Sequence, residues 1–307
     1  MTEIEEMDFE GFKSGYVALV GKPNVGKSTL LNYYIGQKIA AVSFKPQTTR
    51  RRQLGILTLP GAQLIFVDTP GMHSDDYKLS QFINEEAQYA LMDSDVILFI
   101  ADASQSPDRE DRMLAEEVQE KAGKSTVLLV LNKIDLVEPT LLESRKNAYQ
   151  ELMAFDDYIQ ISAITEAGRD KLLERVIELL PEGPKFYPEG QITDTYEREI
   201  AADLIRAAAL HNLRDEVPYG IFVRVDDYKE REENLRYIHA TILVERESHK
   251  GIVIGQRGSM IKQISTMARE EIEEMSGEKV FLDLKVKVEK NWRNNPDFLR
   301  RHGLSHD

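Results

Sequence analysis

The chain has 307 residues, more than a single hydrophobic core usually supports, so we expect two domains. Its formal net charge of -14 argues against non-specific nucleic-acid binding by the whole molecule, because attraction to phosphates needs a positive surface. The absence of cysteine excludes disulfides, thiolate metal sites and a cysteine nucleophile. The acidic N-terminus lacks the features of a signal peptide and no apolar run reaches the length of a membrane span, so we expect a cytoplasmic protein.

Charge is distributed unevenly along the chain. Residues 1–183 carry 19 basic and 30 acidic side chains, whereas residues 184–307 carry 20 and 23. Within the second part, residues 246–269 have five basic and one acidic side chain, and residues 285–301 have six and two. These two basic segments are available for an anionic partner.

Short apolar runs alternate with longer amphipathic stretches up to about Pro181, which predicts an α/β domain with a mostly parallel six-stranded sheet. Pro60 and Gly61 are expected to turn the second strand back into the third as a hairpin. The predicted strands are residues 16–20, 53–59, 62–68, 95–102, 126–132 and 158–162, with helices between them.

A break follows at residues 181–191, where three prolines and two glycines disfavour any regular element. We therefore divide the chain into a first domain at residues 1–183, a linker at residues 184–194 and a second domain at residues 195–307. The second domain is predicted to be α+β. Its expected helices cover residues 197–213 and 259–277, and its expected strands cover residues 220–228, 236–246 and 279–290.

The stretch GKPNVGKST matches the phosphate-loop pattern, in which glycines let backbone N–H groups surround phosphates. Lys27 is expected to reach the terminal phosphates, and the Ser28 hydroxyl is expected to ligate Mg²⁺. The alternative is a glycine-rich turn from strand to helix that binds nothing. The predicted nucleotide-binding residues here are Gly21, Lys22, Pro23, Asn24, Val25, Gly26, Lys27, Ser28 and Thr29.

Two later motifs favour guanine over adenine. NKID, residues 132–135, follows a predicted strand, and Asp135 can accept hydrogen bonds from guanine N1 and N2, which adenine does not offer. Lys133 would lie along the base, and Asn132 would tie this loop to the phosphate loop. ISA, residues 161–163, adds Ser162 and the Ala163 N–H, which could reach guanine O6. The alternative reading of NKID is a polar turn at a strand end.

DTPG, residues 68–71, ends another predicted strand. Asp68 is placed to hold Mg²⁺ through water, and the Gly71 N–H to sense a γ-phosphate. Thr69 and Pro70 complete this segment of the nucleotide site.

Upstream, the loop KPQTTRRR supplies Thr49 as the expected second protein ligand of Mg²⁺, with Thr48 as the alternative. Lys27, Thr49 and Gly71 are the predicted catalytic residues. Arg50–Arg52 form either a solvated basic loop or a partner contact. Met72 stands where Ras-like enzymes have the glutamine that orients the attacking water, so unassisted hydrolysis should be slow.

With these motifs in this order, and an apolar residue at Met72, the first domain resembles the translation-associated GTPases of the Era and TrmE group. RDEVPYGIFVRVDDYKER followed by IVIGQRGSMIK resembles the carboxyl-terminal part of the Era family, whose second domain is a type II KH domain. The resemblance covers nearly the whole chain, apart from the first dozen and last several residues.

The resemblance implies a monomeric GTPase that uses GTP, GDP and Mg²⁺ and binds the 3′ end of 16S ribosomal RNA during assembly of the 30S subunit. It also implies peripheral contact with the cell membrane. Likeness to the TrmE group implies that K⁺ and Asn24 help neutralise charge between the β- and γ-phosphates. The alternative is that Asn24 only stabilises the turn.

The loop GQRG fits the KH signature G-x-x-G, which lets the backbone of about four nucleotides approach closely. Ile252, Ile254 and Ile261 would form an apolar floor beneath the bases. The predicted RNA-binding residues are Ile254, Gly255, Gln256, Arg257, Gly258, Ser259 and Lys262. The competing hypothesis is a signalling GTPase whose second domain binds a protein, with GQRG merely a surface turn.

Overall fold

The computed structural model describes residues 11–42, 50–69, 77–232 and 234–305, with the side chain of residue 232 left aside. The chain separates into two compact units. The first comprises Met1–Ile35, Gln53–Thr69 and Gln88–Asp194, and the second comprises Gly36–Arg52, Pro70–Ala87 and Thr195–Asp307. Two internal segments therefore belong with the C-terminal unit.

The first unit is built on a six-stranded sheet in the order β2-β3-β1-β4-β5-β6. Strand β2 pairs antiparallel with β3 through the turn at Pro60 and Gly61, and all other neighbours are parallel. This confirms the predicted hairpin and the mostly parallel sheet. The strands are β1 (Lys13–Val20), β2 (Gln53–Leu59), β3 (Ala62–Asp68), β4 (Val96–Asp102), β5 (Thr126–Asn132) and β6 (Asp157–Gln160).

Helices connect these strands: α1 (Lys27–Ile35), α2 (Lys78–Met92), α3 (Arg109–Lys121), α4 (Pro139–Gln150) and α5 (Arg169–Leu179). Every residue of β3 and β4 is buried, as expected for parallel strands covered on both faces. Because β1, β3, β4 and β5 run parallel, their carboxyl ends lie at one edge of the sheet, where α/β folds bind ligands. Helix α2 begins in the second unit and ends in the first, since the division falls after Ala87.

The predicted linker forms no helix or strand, yet it is bonded to the sheet of the first unit. The fully buried Gln63 accepts hydrogen bonds at Oε1 from the N–H groups of Phe186 (2.7 Å) and Tyr187 (3.0 Å). Ile192 accepts a further hydrogen bond at its carbonyl from the Ile56 N–H at 2.8 Å. Backbone groups of this irregular segment are thus satisfied by β2 and β3.

The second unit contains a three-stranded sheet in the order β7-β8-β9, in which β7 and β8 are antiparallel and β8 and β9 are parallel. From α6 to β9 the order is helix, strand, strand, helix, helix, strand, which confirms the predicted type II KH arrangement. The elements are α6 (Glu197–Asn212), β7 (Phe222–Glu232), β8 (Leu235–Val244), α7 (Glu247–Ile254), α8 (Ser259–Ser276), β9 (Lys279–Val288) and α9 (Pro296–Arg301).

Two short helices, α7 and α9, were not located by the sequence pattern. Helix α7 has eight residues with Gly251 near its centre, and α9 has six, so neither carries a clear helical period. The start of α9 did carry a signal, because Asn295 caps it by accepting a hydrogen bond from the Phe298 N–H and Pro296 occupies its first turn.

The core of the KH arrangement lies between helices α6 and α8 and the sheet. Helix α8 buries residues three or four positions apart, which is the spacing of one helix face. They are Ile264, Ala268, Ile272 and Met275. A second apolar cluster of this unit joins the start of α2 to the C-terminal residues and comprises Leu79, Phe82, Ile83, Leu243, Trp292, Phe298, Leu299 and Leu304.

Candidate functional site

The phosphate loop lies between β1 and α1, as predicted, and its two glycines are required by close neighbours. A Cβ on Gly21 would lie 2.3 Å from the Ile100 carbonyl oxygen, and one on Gly26 would lie 2.2 Å from Asn132 Nδ2. Gly26 (φ +108°) and Asn24 (φ +66°) also adopt left-handed backbone conformations. The loop is therefore packed tightly against β4 and the end of β5, beside the N-terminus of α1.

Lys27 is the buried cation of this loop. Its Nζ donates hydrogen bonds to the carbonyls of Gly21 (2.7 Å) and Lys22 (3.0 Å). Burial lowers the pKa of its ammonium group, and the negative charge of Asp68 only partly offsets that effect. A desolvated ammonium with one nearby carboxylate is suited to an anionic ligand, because phosphate oxygens would supply the missing negative charge.

Ser28, at the start of α1, lies beside Asp68, at the end of β3. The Ser28 hydroxyl donates a 2.8 Å hydrogen bond to Asp68 Oδ2, and Asp68 is fully buried. Thr69, also buried, donates from its hydroxyl to the Leu19 carbonyl at 2.8 Å and thereby anchors this strand end.

Adjacent hydroxyl and carboxylate oxygens are hard donors, and Mg²⁺ is typically held by one or two such groups together with phosphates and water. Across residues 11–42, 50–69, 77–232 and 234–305, no cluster of three or more His, Cys, Asp or Glu could hold a metal ion. Ser28 and Asp68 therefore fit Mg²⁺ carried by a phosphate ligand rather than a closed protein cage.

Asn132 brings three loops together. Its Nδ2 donates to the Val25 carbonyl of the phosphate loop at 2.6 Å, and its Oδ1 accepts from the Ala163 N–H at 2.8 Å. The expected contact between NKID and the phosphate loop is thus present. The Ala163 N–H predicted to meet guanine O6 is engaged with Asn132, so the base would have to share this donor. Ser162 is fully buried, and its Oγ accepts from the Thr165 N–H.

Lys133 and Asp135 of the NKID motif are arranged for different contacts. Lys133 has a left-handed backbone (φ +63°), and its Nζ contacts Asp102 Oδ2 at 2.6 Å. Burial of Asp102 opposes ionisation, but the hydrogen bonds from Lys133 and Ser104 hold the pKa of its carboxyl below the usual range. Asp135 follows in a single turn and is exposed, so its carboxylate remains accessible to a base.

Two acidic residues that the sequence reading missed hold the phosphate loop from α3. Lys22 Nζ contacts Asp108 Oδ2 and Asp111 Oδ2, each at 2.7 Å. Burial works against its charge, yet these hydrogen bonds raise the pKa of Lys22. Asp108 and Asp111 also form the reciprocal capping box that begins α3, a pattern that marks the helix start but does not indicate the contact with Lys22.

The remaining predicted residues of this site, Thr49, its alternative Thr48, Pro70, Gly71 and Met72, lie outside the described part of the chain. Their neighbour Arg50 is described, and it is not a solvated loop residue. Its guanidinium is buried and donates to the carbonyls of Ile221 (2.7 Å) and Tyr219 (3.0 Å) within the second unit. Arg50 therefore fits neither a solvated basic loop nor a partner contact, because it is hydrogen-bonded to the chain's own backbone.

The GQRG loop joins α7 to α8. Gly255 (φ +72°) follows α7, and Gly258 (φ +79°) precedes the first residue of α8. A Cβ on Gly255 would lie 2.6 Å from Met260 Cβ, so this glycine is required by the chain itself. A Cβ on Gly258 would meet nothing within 4 Å, so the fold leaves open space there. A side chain is thus excluded at Gly255 by contact with Met260, whereas at Gly258 no protein atom lies close enough to exclude one.

Polar side chains around this loop face solvent. Gln256, Arg257, Ser259 and Lys262 are exposed, and Arg257 has a left-handed backbone (φ +51°). Among the isoleucines predicted as an apolar floor, Ile252 is 48% exposed, whereas Ile254 and Ile261 are half-buried. The loop presents backbone, one cation and adjacent apolar surface, which are groups that can contact a nucleic-acid backbone and its bases.

None of the helices in the described ranges is both long enough and apolar enough to cross a membrane.

Residues 16–133 match the family described as 50S ribosome-binding GTPase, and residues 216–293 match the KH domain.

Among characterised relatives, GTPase Era of Thermoanaerobacter sp. (strain X514) is 46% identical over 298 residues, covering 97% of this chain and 98% of the relative. GTPase Era of Ruminiclostridium cellulolyticum is 44% identical over 292 residues, covering 95% and 97%.

Two solved structures are similar along nearly the whole chain. One is Era in complex with MgGDPNP and nucleotides 1506–1542 of 16S ribosomal RNA, with a TM-score of 0.89, 38% identity and coverage of 96% of this chain and 99% of that one. The other is a point variant of Aquifex aeolicus Era bound to GDP·AlF4⁻, with a TM-score of 0.88, 37% identity and coverage of 96% and 100%. Because the two GTPase Era relatives are 44% and 46% identical to this chain over nearly all of both lengths, the chain belongs to the GTPase Era family.

Proposed function

We propose that this protein is a GTP-hydrolysing switch that binds the 3′ end of 16S ribosomal RNA and assists assembly of the 30S subunit. The observation that carries the proposal is its full-length similarity to an Era structure that holds both MgGDPNP and nucleotides 1506–1542 of 16S ribosomal RNA. The domain limits that we propose are residues 1–183 for the GTPase domain, 184–194 for the linker and 195–307 for the KH domain. We expect the protein to act as a cytoplasmic monomer.

In this proposal the nucleotide site works by positioning and charge. The phosphate-loop N–H groups and the Lys27 ammonium bind the β- and γ-phosphates, and Asp135 accepts hydrogen bonds from the guanine ring. Asn132 keeps the base-binding and phosphate-binding loops in register through its bond to Val25. Lys133, already held beside Asp102, supplies a side chain along the base.

Ser28 and Asp68, together with Thr49 from the preceding loop, would hold Mg²⁺, which neutralises developing charge on the phosphates when bound. The Gly71 N–H would donate to the γ-phosphate and distinguish GTP from GDP. Because Met72 cannot orient water, this chain's own residues offer no general base at that position. Hydrolysis by the protein alone should therefore be slow.

We propose that a monovalent cation assists hydrolysis, as the resemblance to the TrmE group implies. The residue that supports this proposal is Asn24. Asn24 is exposed and has a left-handed backbone within the phosphate loop. Turnover should be faster in potassium chloride than in sodium chloride at equal ionic strength, and Asn24→Ala should reduce the difference. Equal rates in the two salts would leave Asn24 with a role in the turn alone.

The RNA site in this proposal is the GQRG loop with its flanking residues Ile254, Ser259 and Lys262. The RNA backbone would pass over Gly258, where the fold leaves space, while Arg257 and Lys262 contact phosphates. A filter-binding assay with an oligonucleotide of the 16S 3′ end, against a shuffled oligonucleotide of the same composition, tests this directly. Equal or absent binding at low salt would favour the alternative of a protein-binding signalling GTPase.

A further inference from the structure

A basic cavity of about 520 Å³ lies within the second unit. Its walls come from the start of α6, the first residues of β7, the pair Arg50–Arg51 and residues 301–304. The volume is within the range of about 300–1,000 Å³ that small-molecule pockets usually have. It is therefore large enough for a nucleotide-sized ligand.

The cavity is strongly positive although the chain is acidic. Glu199 and Asp203 are the acidic residues that line it, and Asp226 pairs with one of its arginines from outside. Even with all three counted, the arginines leave an excess of positive charge in a chain whose net charge is -14. The lining arginines are Arg50, Arg51, Arg198, Arg206, Arg224 and Arg301.

Several of these guanidinium groups are fixed in place. Arg50 is held by two backbone carbonyls and lies over the Trp292 ring, and Arg206 is 3% exposed with Asp203 as an ion-pair partner at 3.3 Å. Arg51 donates to the His302 carbonyl and contacts Glu199 at 3.5 Å. Groups held in this way lose little conformational entropy when a ligand binds.

The imidazole of His302 lines the same cavity and senses its charge. Burial lowers the pKa of His302, and the positive charges of Arg224, Arg301 and Arg51 lower it further. The ring packs against Phe222 and Phe298, with centroid distances of 4.8 and 4.4 Å. An anion bound among the arginines would act on this imidazole with the opposite sign.

Aromatic surface is available at the cavity. Tyr196, which lines it, is 74% exposed and precedes α6. Exposed aromatic rings beside arginines are the usual platform for nucleic-acid bases, because every base offers a π-face and guanidinium groups bind phosphate bidentately.

We propose that this cavity binds a nucleotide through its phosphate, with the phosphate held by Arg301, Arg224 and Arg198 and the base stacked on Tyr196. The nucleotide is either part of an RNA strand or free, and both sources present the same phosphate and base. No lining residue of the cavity belongs to the guanine site or to the GQRG loop, and binding here does not depend on the function proposed for either.

Titration of His302 by NMR in the full-length protein tests the proposal, with GDP and Mg²⁺ in excess to fill the guanine site. The probes are adenosine monophosphate and a hexameric oligoadenylate. We expect the pKa of His302 to rise when a probe binds, and His302→Gln assigns the signal. A response to the oligonucleotide alone identifies RNA as the source, and a response to the mononucleotide alone identifies a free nucleotide.

Arg301→Glu and its neighbour Arg300→Glu form a matched pair, since both arginines are exposed on α9 but only Arg301 lines the cavity. Arg301→Glu should weaken probe binding about tenfold or more, whereas Arg300→Glu should leave it nearly unchanged. No change in the His302 titration with either probe, or equal losses in the two variants, would overturn the proposal.

Discussion

Asn132 Nδ2 donates a 2.6 Å hydrogen bond to the Val25 carbonyl, so the end of β5 is bonded directly to the phosphate loop. The same amide accepts at Oδ1 from the Ala163 N–H, and its side chain is 1% exposed. Both polar ends are therefore used in a site without competing water. One side chain thus links the loop proposed to bind the base to the loop proposed to bind the phosphates.

Replacing Asn132 with Ala should damage both stability and nucleotide affinity. The change leaves the Val25 carbonyl and the Ala163 N–H buried without this partner, at a cost of about 1–3 kcal/mol for each group. We expect urea unfolding of the nucleotide-free protein to show a loss of a few kcal/mol and fluorescent GDP to bind at least about tenfold more weakly. Asn147→Ala, an exposed site in α4, is the control and should match the parent.

The sequence predicted elements whose signal is local. The strands at residues 53–59, 62–68 and 126–132 agree residue for residue with β2, β3 and β5, because each is a mostly apolar run bounded by turn residues. The phosphate loop and NKID are likewise contiguous motifs. The contact between Asn132 and Val25 was expected because both motifs follow strands that end at the same edge of a parallel sheet.

Contacts that depend on tertiary placement were beyond the sequence. The Arg50 guanidinium donates a hydrogen bond to the Ile221 carbonyl, which is 171 residues away in the chain. A backbone carbonyl has no signature in the sequence. The hydrogen bond from the Phe186 N–H of the linker to Gln63 Oε1 was also beyond the sequence. A glutamine within an apolar strand indicates only an interruption of the apolar pattern. The pairing of Lys22 with Asp111 required knowing that α3 begins beside the phosphate loop.

Lys27→Ala should separate activity from stability. Its ammonium is the buried charge that we propose binds the terminal phosphates, so we expect GTP turnover to fall by about a hundredfold or more. Burial already disfavours the charged form, as the lowered pKa of Lys27 indicates, so the nucleotide-free variant should unfold at nearly the parent's urea midpoint. Turnover close to that of the parent would remove Lys27 from the proposed site.

Asp135→Asn should change which base is bound. The carboxylate is expected to accept two hydrogen bonds from guanine, and their loss should weaken GTP binding by about a hundredfold. An amide can instead donate to the extra carbonyl of xanthine, so affinity for xanthosine triphosphate should rise. Competition binding with the two nucleotides measures both effects. Unaltered GTP affinity would contradict the assignment of guanine recognition to Asp135.

Lys133→Met should alter the acid stability of the nucleotide site. Asp102 has a depressed pKa, so it contributes stability above its unfolded value of about 3.9, and this contribution is lost as the pH falls through the folded pKa. Without Lys133, burial would raise the pKa of Asp102, which would then protonate at a higher pH. Carboxyl ¹³C titration and the acid unfolding midpoint measure the change. Lys185→Met, which removes the exposed pair with Glu189, should shift neither.

Gly258→Asp should abolish RNA binding while sparing GTP hydrolysis. A Cβ at Gly258 meets no protein atom within 4 Å, so the new side chain enters the space proposed for the RNA backbone and brings a negative charge towards its phosphates. Steric exclusion and repulsion act in the same direction. Filter binding with the 16S 3′ oligonucleotide should fall to background, and GTP turnover measured without RNA should stay near the parent value.

The matched control is Gly277→Asp at the other end of α8. Gly277 has φ +72° against +79° at Gly258, and a Cβ there also meets nothing within 4 Å, so the two substitutions carry the same backbone strain and the same charge. Backbone strain should cost about 1 kcal/mol at each site. Because Gly258 is the N-cap of α8 and Gly277 its C-cap, the helix dipole favours Asp at the first and disfavours it at the second, so Gly258→Asp should be the more stable variant in a circular dichroism melt. Only Gly258→Asp lies in the GQRG loop, so only it should lose RNA. If both folded variants bind the oligonucleotide equally well, RNA does not pass over Gly258, and a protein partner becomes the better explanation of this loop.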